Sequence, residues 1–289
     1  MQTVVVDTAA YLRRLGLPEL LHAPVTAESL RALHSAHVEK VAYEVLEIWL
    51  GRPTTVDPVE SAGRIVRGRG GYCYHLNGAF SELLTTLGYD VTRHVAGVQL
   101  RGGEPGISGN HLVLTARGLP SDANPGGGWL VDVGLGDAVH EPLPLVPGTY
   151  RQGPFTYGLR PSEVTPGGWR FDHDPSGSFE GMDFGMEPTG MSAFAEMHRH
   201  LTTAPTSGFV RIATTQRRDA YGVDILRGLL LTRVGNGKQS VTLSSARDYY
   251  AALADIFLLP LDDVTPGEKD KLWRKVCEAH EGWLAAGSP

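Results

Sequence analysis

Cysteine is scarce. The 289 residues contain two, Cys73 and Cys277, and no Cys-x-x-Cys pair. A disulfide framework is therefore excluded, and a reduced, cytoplasmic setting is the expectation. Positive charge is not in excess either. With 26 Lys+Arg against 32 Asp+Glu the formal net charge is −6, which gives no reason to expect a nucleic-acid partner or an anionic membrane surface. No stretch approaches the ~20 apolar residues of a membrane span. The Met1–Asp7 start lacks the basic region and apolar run of a signal peptide. Internal repeats, low-complexity segments and a Gly-Lys-Ser/Thr phosphate loop are also missing, so nothing points to nucleotide hydrolysis. Asp172-His173-Asp174 and His198-Arg-His200 resemble metal ligands only superficially, and no metal is expected.

What remains is an ordinary globular composition, 42% hydrophobic and 20% charged, organised around one stretch. In Arg67-Gly-Arg-Gly-Gly-Tyr-Cys73-Tyr-His-Leu-Asn-Gly-Ala-Phe80, a turn loosened by Gly68, Gly70 and Gly71 delivers Cys73 to the start of a helix. Leu76, Phe80, Leu83, Leu84 and Leu87 follow at helical spacing, and Gly88 sits where the helix would stop. At that position a thiol faces unpaired N–H groups and the positive end of the helix dipole, which favour the thiolate. Arg67 and Arg69 add positive charge if the loop folds back. The alternative is a small buried hydrophobe.

A thiolate nucleophile needs a base, and the base an orienting group. In the strand-like Asn110-His111-Leu-Val-Leu-Thr-Ala-Arg117, alternation puts His111, Val113 and Thr115 on one face. In Trp129-Leu-Val-Asp132-Val-Gly-Leu-Gly-Asp137, Asp132 interrupts an apolar run, where an acid is costly to bury without a partner. Neutral His111 as that partner, with its other nitrogen facing Cys73, satisfies both needs. A strand-end histidine and a turn acid with no shared role are the alternatives.

Three motifs in this order, Arg69-Gly-Gly-Tyr-Cys73, His111-Leu-Val-Leu and Val131-Asp132-Val-Gly-Leu-Gly136, resemble the arylamine N-acetyltransferase family. The likeness extends through Val41-Ala-Tyr-Glu44, Ser207-Gly-Phe209 and Ile225–Val234, over nearly the whole chain. It implies Cys73 as the acylated nucleophile, His111 as the base and Asp132 as its orienting partner. It also implies acetyl-CoA or another acyl-CoA as co-substrate, approached by Gly134, Gly136, Ser207 and Phe209, and a small-molecule amine as acceptor. Two departures bear on the acceptor: His75 stands where many members carry Glu, and Tyr43-Glu44-Val45 where they carry a Phe-Glu-Asn-like triplet. Tyr43, His75 and Met186 are thus the expected substrate-pocket residues. Met186 is included because Met182, Met186, Met191 and Met197 fall in one short stretch, and methionine suits a broad apolar wall; filling gaps between lobes is the other use.

The implied fold is α+β, with a helical bundle over residues 1–88, an antiparallel β-barrel over 89–203 and an α/β lid over 204–289, the site lying at their junction. Within it, Asp7 and Thr26 can cap helices, Val41–Leu50 could be helix or strand, and Pro53–Pro58 reads as a loop. Strands are expected at Val91–Leu100, His111–Arg117, Trp129–Leu135, Tyr150–Leu159, Trp169–Asp172, Gly208–Thr214 and Ile225–Val234. Asn236-Gly237 signals a hairpin, Ser244 or Ser245 opens a helix, and Thr265-Pro266-Gly-Glu268 resembles a capping box. Two functional alternatives share the chemistry: an amide synthase acting on an intermediate bound to an acyl-carrier protein, and a Cys-His-Asp hydrolase or transglutaminase-like enzyme. The sequence is silent on oligomeric state.

Overall fold

The computed structural model describes residues 6–285; most of the Met1–Asp7 segment read above for a signal lies outside the described residues. The chain opens with helices whose ends follow from local chemistry. Asp7 accepts from the Ala10 amide at 2.9 Å and starts α1 (Thr8–Leu15), which Gly16 ends. Thr26 and Ser29 cap one another at the head of α2 (Ala27–Lys40). Val41–Leu50 then divides between the two forms left open, a short strand β1 (Tyr43–Glu44) and a helix α3 (Leu46–Leu50). The sequence reading missed α4 (Pro58–Val66), although Asp57 caps it with bonds to the amides of Val59 and Glu60 and Pro58 occupies its first position. α5 (Cys73–Thr86) follows, buried along most of its length.

An antiparallel sheet of eight strands comes next, comprising β2 (Asp90–Gln99), β3 (His111–Arg117), β4 (Trp129–Val131), β5 (Leu143–Pro144), β6 (Gly148–Gln152), β7 (Phe155–Pro161), β8 (Trp169–Asp172) and β9 (Gly181–Phe184). Its order, β5-β4-β3-β2-β9-β8-β7-β6, leaves β5 and β6 as the edges. The Gln152 side chain reaches across that seam, accepting from the amides of His140 and Glu141 and donating to the Glu141 carbonyl. The result is a nearly closed barrel, with α6 (Ala195–Thr203) and the short α7 (Gly208–Arg211) beyond it.

A second antiparallel sheet orders β1 with β10 (Thr214–Asp219), β11 (Gly222–Arg227), β12 (Leu230–Val234) and β13 (Lys238–Thr242), and α8 (Ala246–Asp255) and α9 (Pro266–Ala285) complete the chain. The Thr265–Glu268 capping box is present at the head of α9. Among the described residues no helix is long and apolar enough to cross a membrane.

Four expected strands differ in extent. Trp129–Leu135 stops at Val131 because Asp132 leaves the ladder, as described below. Tyr150–Leu159 is a hairpin turning near Gly153, and Ile225–Val234 is another turning near Gly228; both glycines adopt positive φ. Gly208–Thr214 is mostly the helix α7, started by Ser207 accepting from the Phe209 amide. Alternation along β3 divides two cores: Val113 faces the barrel interior, whereas Leu112, Leu114 and Ala116 join the core shared with the helices.

Candidate active site

Cys73 sits at the first position of α5 because the preceding loop is tied down on both sides. The Gly71 carbonyl accepts from the Glu44 amide at 2.9 Å, so the loop pairs with β1 and through it with the second sheet. Gly70 has no room for a side chain, since a Cβ there would lie 2.0 Å from the Ala42 carbonyl oxygen. Arg69 does not turn toward the sulfur. It is buried, and pairs with Glu47 at 2.7 Å, Asp263 at 3.1 Å and Glu44 at 4.0 Å, joining the loop to the segment before α9. Arg67 ends α4. Removing one partner from a buried charge cluster leaves the others uncompensated, at a cost of about 3–5 kcal/mol. Arg69→Met is expected to destabilise the protein by that amount in urea titration, and a loss below about 1 kcal/mol, the range of an exposed pair, would show that the cluster is merely solvated.

His111 opens β3, and its Nε2 lies 2.7 Å from Asp132 Oδ2, with both side chains buried. Nδ1 is then the ring nitrogen left for Cys73. Burial alone lowers the affinity of this ring for a proton, but the Asp132 carboxylate and the charge of Cys73 reverse the effect and push its pKa up to about 10. The thiol of Cys73 itself lies 3.7 Å from the Asn110 carbonyl oxygen. The Asn110 side chain, in turn, accepts from the Val98 amide and donates to its carbonyl, fixing the approach to His111.

Asp132 departs from β4 because a helix side chain replaces its strand partner. Leu114 pairs with Val131, and one residue further the ladder opens around Asn77 of α5. Asn77 Nδ2 donates to the Leu112 carbonyl (2.6 Å) and to Asp132 Oδ1 (2.7 Å), while its Oδ1 accepts from the Val133 amide (2.9 Å). The Gly134 amide also donates to Asp132 Oδ1, at 2.9 Å. The freed carboxylate thereby reaches His111. Sequence reasoning missed Asn77, though its place four residues after Cys73 puts it on the same helix face.

The other expected site residues fall in two places. Burial first, then the charge of Cys73, hold Tyr43 protonated. Phe209 packs against Tyr43 (6.4 Å between rings) and Tyr72 (4.9 Å). A Cβ on Gly136 would meet Gln216 Oε1 at 2.0 Å and Tyr43 Cγ at 3.3 Å, and one on Gly134 would meet Cys73 Cα at 2.7 Å. Ser207 is buried beneath Phe209, donating to the Leu201 carbonyl. His75 lies elsewhere. It is buried 4.3 Å from the Tyr72 ring and beside His198, its Nδ1 accepting from the Tyr72 amide at 3.4 Å. With Glu44, Arg64 and Gly70 it lines a cavity of about 10 Å³, room for one water. Burial, with Arg64 and His198 nearby, drives its pKa well down and keeps it neutral.

The methionines separate as well. Met182 lies in the barrel core with Met186 half-buried against it, whereas Met191 touches α5 at Gly78 and Met197 packs on the helical core. Two histidines of the metal-like motifs have other partners: His173 pairs with Asp137 at 3.4 Å, and His198 bridges Tyr72 and the Thr54 carbonyl.

The family model described as N-acetyltransferase matches residues 26–265. Arylamine N-acetyltransferase 1 of Oryctolagus cuniculus is 26% identical over 264 residues, covering 82% of this chain and 87% of that protein. Proansamycin X synthase of Amycolatopsis mediterranei is 35% identical over 156 residues, 51% of this chain and 56% of the synthase, so the match spans about half of that relative. The structure of Mycobacterium marinum arylamine N-acetyltransferase in complex with CoA superposes with a TM-score of 0.80 at 25% identity, covering 94% of this chain and 99% of the other. The chain therefore belongs to the N-acetyltransferase family that includes the arylamine N-acetyltransferases, a family of enzymes.

Proposed function

We propose that the protein moves an acetyl or other acyl group from acyl-CoA, through a thioester on Cys73, to an aromatic or hydrophobic amine. The observation that carries this reading is the buried chain Asp132–His111–Cys73 at the head of α5. In the first half-reaction the proton of the Cys73–His111 pair rests on His111 Nδ1 and the sulfur attacks the thioester carbonyl. The tetrahedral oxyanion meets the free N–H groups of the first helical turn. CoA leaves as a thiol, taking the proton back from His111. The amine then attacks the acyl-enzyme, His111 accepts its proton, and the amide departs as Cys73 is regenerated. One sulfur cannot hold the acyl group and the CoA together, so the order is ping-pong.

The donor is assigned to Gly136 and the Ser207–Phe209 segment, which meet at Tyr43, and to the Gly134 backbone beside Cys73; the CoA complex of the M. marinum enzyme supports an acyl-CoA donor. The apolar acceptor rests on the rings around Cys73: Tyr43, Tyr72, Tyr74, Phe194 and Phe209. His75 acts on this pocket through Tyr72. A reducing, cytoplasmic setting suits a nucleophile that must stay a thiol.

The test is mass spectrometry of the intact protein after incubation with acetyl-CoA, followed by peptide mapping. One acetyl group on the peptide carrying Cys73, released by an aniline or a bulky hydrophobic amine faster than by spermidine, is the expected result. No adduct with any CoA thioester would overturn the donor assignment, and faster release by spermidine the acceptor. The 35% identity with proansamycin X synthase favours a second reading, an amide synthase that takes its acyl group from a carrier protein. Loading of Cys73 from a pantetheine-linked carrier thioester, with none from CoA, distinguishes it.

A further inference from the structure

We propose that His34 is a positioning residue for the triad acid: from α2 it accepts the Asp132 amide and holds that residue's backbone outside the sheet, so that the carboxylate stays on His111. The inference rests on the triad assigned above and adds a member that touches none of the reacting atoms. When Asp132 and Val133 leave the β4 ladder, two buried amides lose their strand partners, and an orphaned buried amide is expensive. Asn77 takes the Val133 amide. The Asp132 amide is taken by His34 Nε2 at 3.3 Å. Asn77 grips the carboxylate as well, whereas His34 grips only the backbone, from another helix.

The hydrogen-bond directions fix the form of this ring. Nε2 faces an N–H and must accept; Nδ1 faces the His140 carbonyl at 3.0 Å and must donate. Only the neutral tautomer protonated at Nδ1 satisfies both. His140 is itself anchored, its Nε2 lying 2.7 Å from Glu39 Oε1 of α2, and Ser35 donates to the same His140 carbonyl. The titratable groups facing His34 are His37 on its own helix, His140 and Asp132, and the edge of Phe80 of α5 packs against the ring. Burial, the leading effect, lowers the pKa of His34 to about 4, consistent with an acceptor that stays neutral.

The test follows the Cys73–His111 pair without acyl donor or amine, so it stands even if acetyl-CoA fails to load the enzyme. In the wild-type protein, heteronuclear NMR of labelled histidine should show His34 neutral and protonated at Nδ1 at pH 7. A charged ring or the opposite tautomer would overturn the proposal. The pH dependence of Cys73 alkylation by iodoacetamide is then compared in wild type, His34→Gln and His34→Leu. Gln retains a donor and an acceptor and should keep the wild-type alkaline limb. Leu retains neither; Asp132 should drift, moving the limb down by about one pH unit, the low end of what a neighbouring charge contributes. Transfer should slow by about 10²-fold, the cost of an ångström-scale displacement. A folded Leu variant with an unmoved limb, or a Gln variant displaced as far as Leu, would refute the role. If the Leu variant does not fold, the tautomer and the Gln variant decide.

Discussion

Cys73→Ala is expected to leave no more than a trace of transfer, and Asp132→Asn to lower it by ~10³-fold or more while the fold persists, as tautomer reversal does in other triads. The reason for the second effect lies in the donors around the acid. Asp132 Oδ1 accepts from both Asn77 Nδ2 and the Gly134 amide. In the Asn variant the side-chain oxygen must stay on those donors, which turns its NH2 group toward His111 Nε2. That nitrogen must then accept, so the ring proton moves to Nδ1 and His111 can no longer take the proton of Cys73. The charge that stabilises the imidazolium is lost as well.

The same change has a signature in stability. The pKa of His111 is raised from an unfolded value of about 6.5 to about 10 in the folded protein. Its contribution is therefore fully present below the unfolded value and fades as the pH rises through the folded one. Wild type should lose that contribution between those limits, and Asp132→Asn should show a flatter profile. Urea titrations at neutral and alkaline pH provide the comparison. Equal slopes in the two proteins, or substantial transfer by Cys73→Ala, would mean that the three residues do not act as one unit.

Local chemistry was legible where one residue type has one physical use. Asp7, Thr26 and Thr265 cap helices as read, and β3 and β8 lie where alternation placed them. The helix beginning at Cys73 runs to Thr86, as its leucine spacing implied. α4 is equally readable from Asp57-Pro58, where an aspartate cap precedes a proline at the first helical position, although Pro53 and Pro58 together suggest a loop. Met182 of β9 fills the barrel interior, so it is neither a pocket wall nor a filler between lobes. Other features depended on long-range geometry. Arg69 reads as a charge for the sulfur until Glu47 and Asp263 meet it from distant segments. His34 and Asn77 acquire roles only because β4 ends at Val131, and no local pattern announces where a ladder will open.

Gly134 illustrates how the same residue changes meaning. From the sequence, Gly134-x-Gly136 is a turn whose backbone can approach a phosphate. In the fold, the space above Gly134 is already taken: an added Cβ would lie 2.7 Å from Cys73 Cα, 3.1 Å from Cys73 Cβ and 2.8 Å from Asn77 Nδ2. None of these can yield cheaply. Cys73 Cα belongs to a helix buried along most of its length, and Asn77 Nδ2 already serves both Leu112 and Asp132. Gly134→Ala should therefore push the nucleophile away from His111 or break the Asn77 wedge. Overpacking of this kind costs about 1–3 kcal/mol, and a shift of about 1 Å at the sulfur costs ~10²-fold in rate. Gly126→Ala is the control, because its Cβ would have only Asn124 Oδ1 in range, at 3.9 Å. Alkylation of Cys73 separates the two accounts of the glycine. If it slows together with transfer in Gly134→Ala, the residue is small to admit α5. If alkylation is unchanged and only KM for the acyl donor rises, the turn serves the donor and the packing account fails.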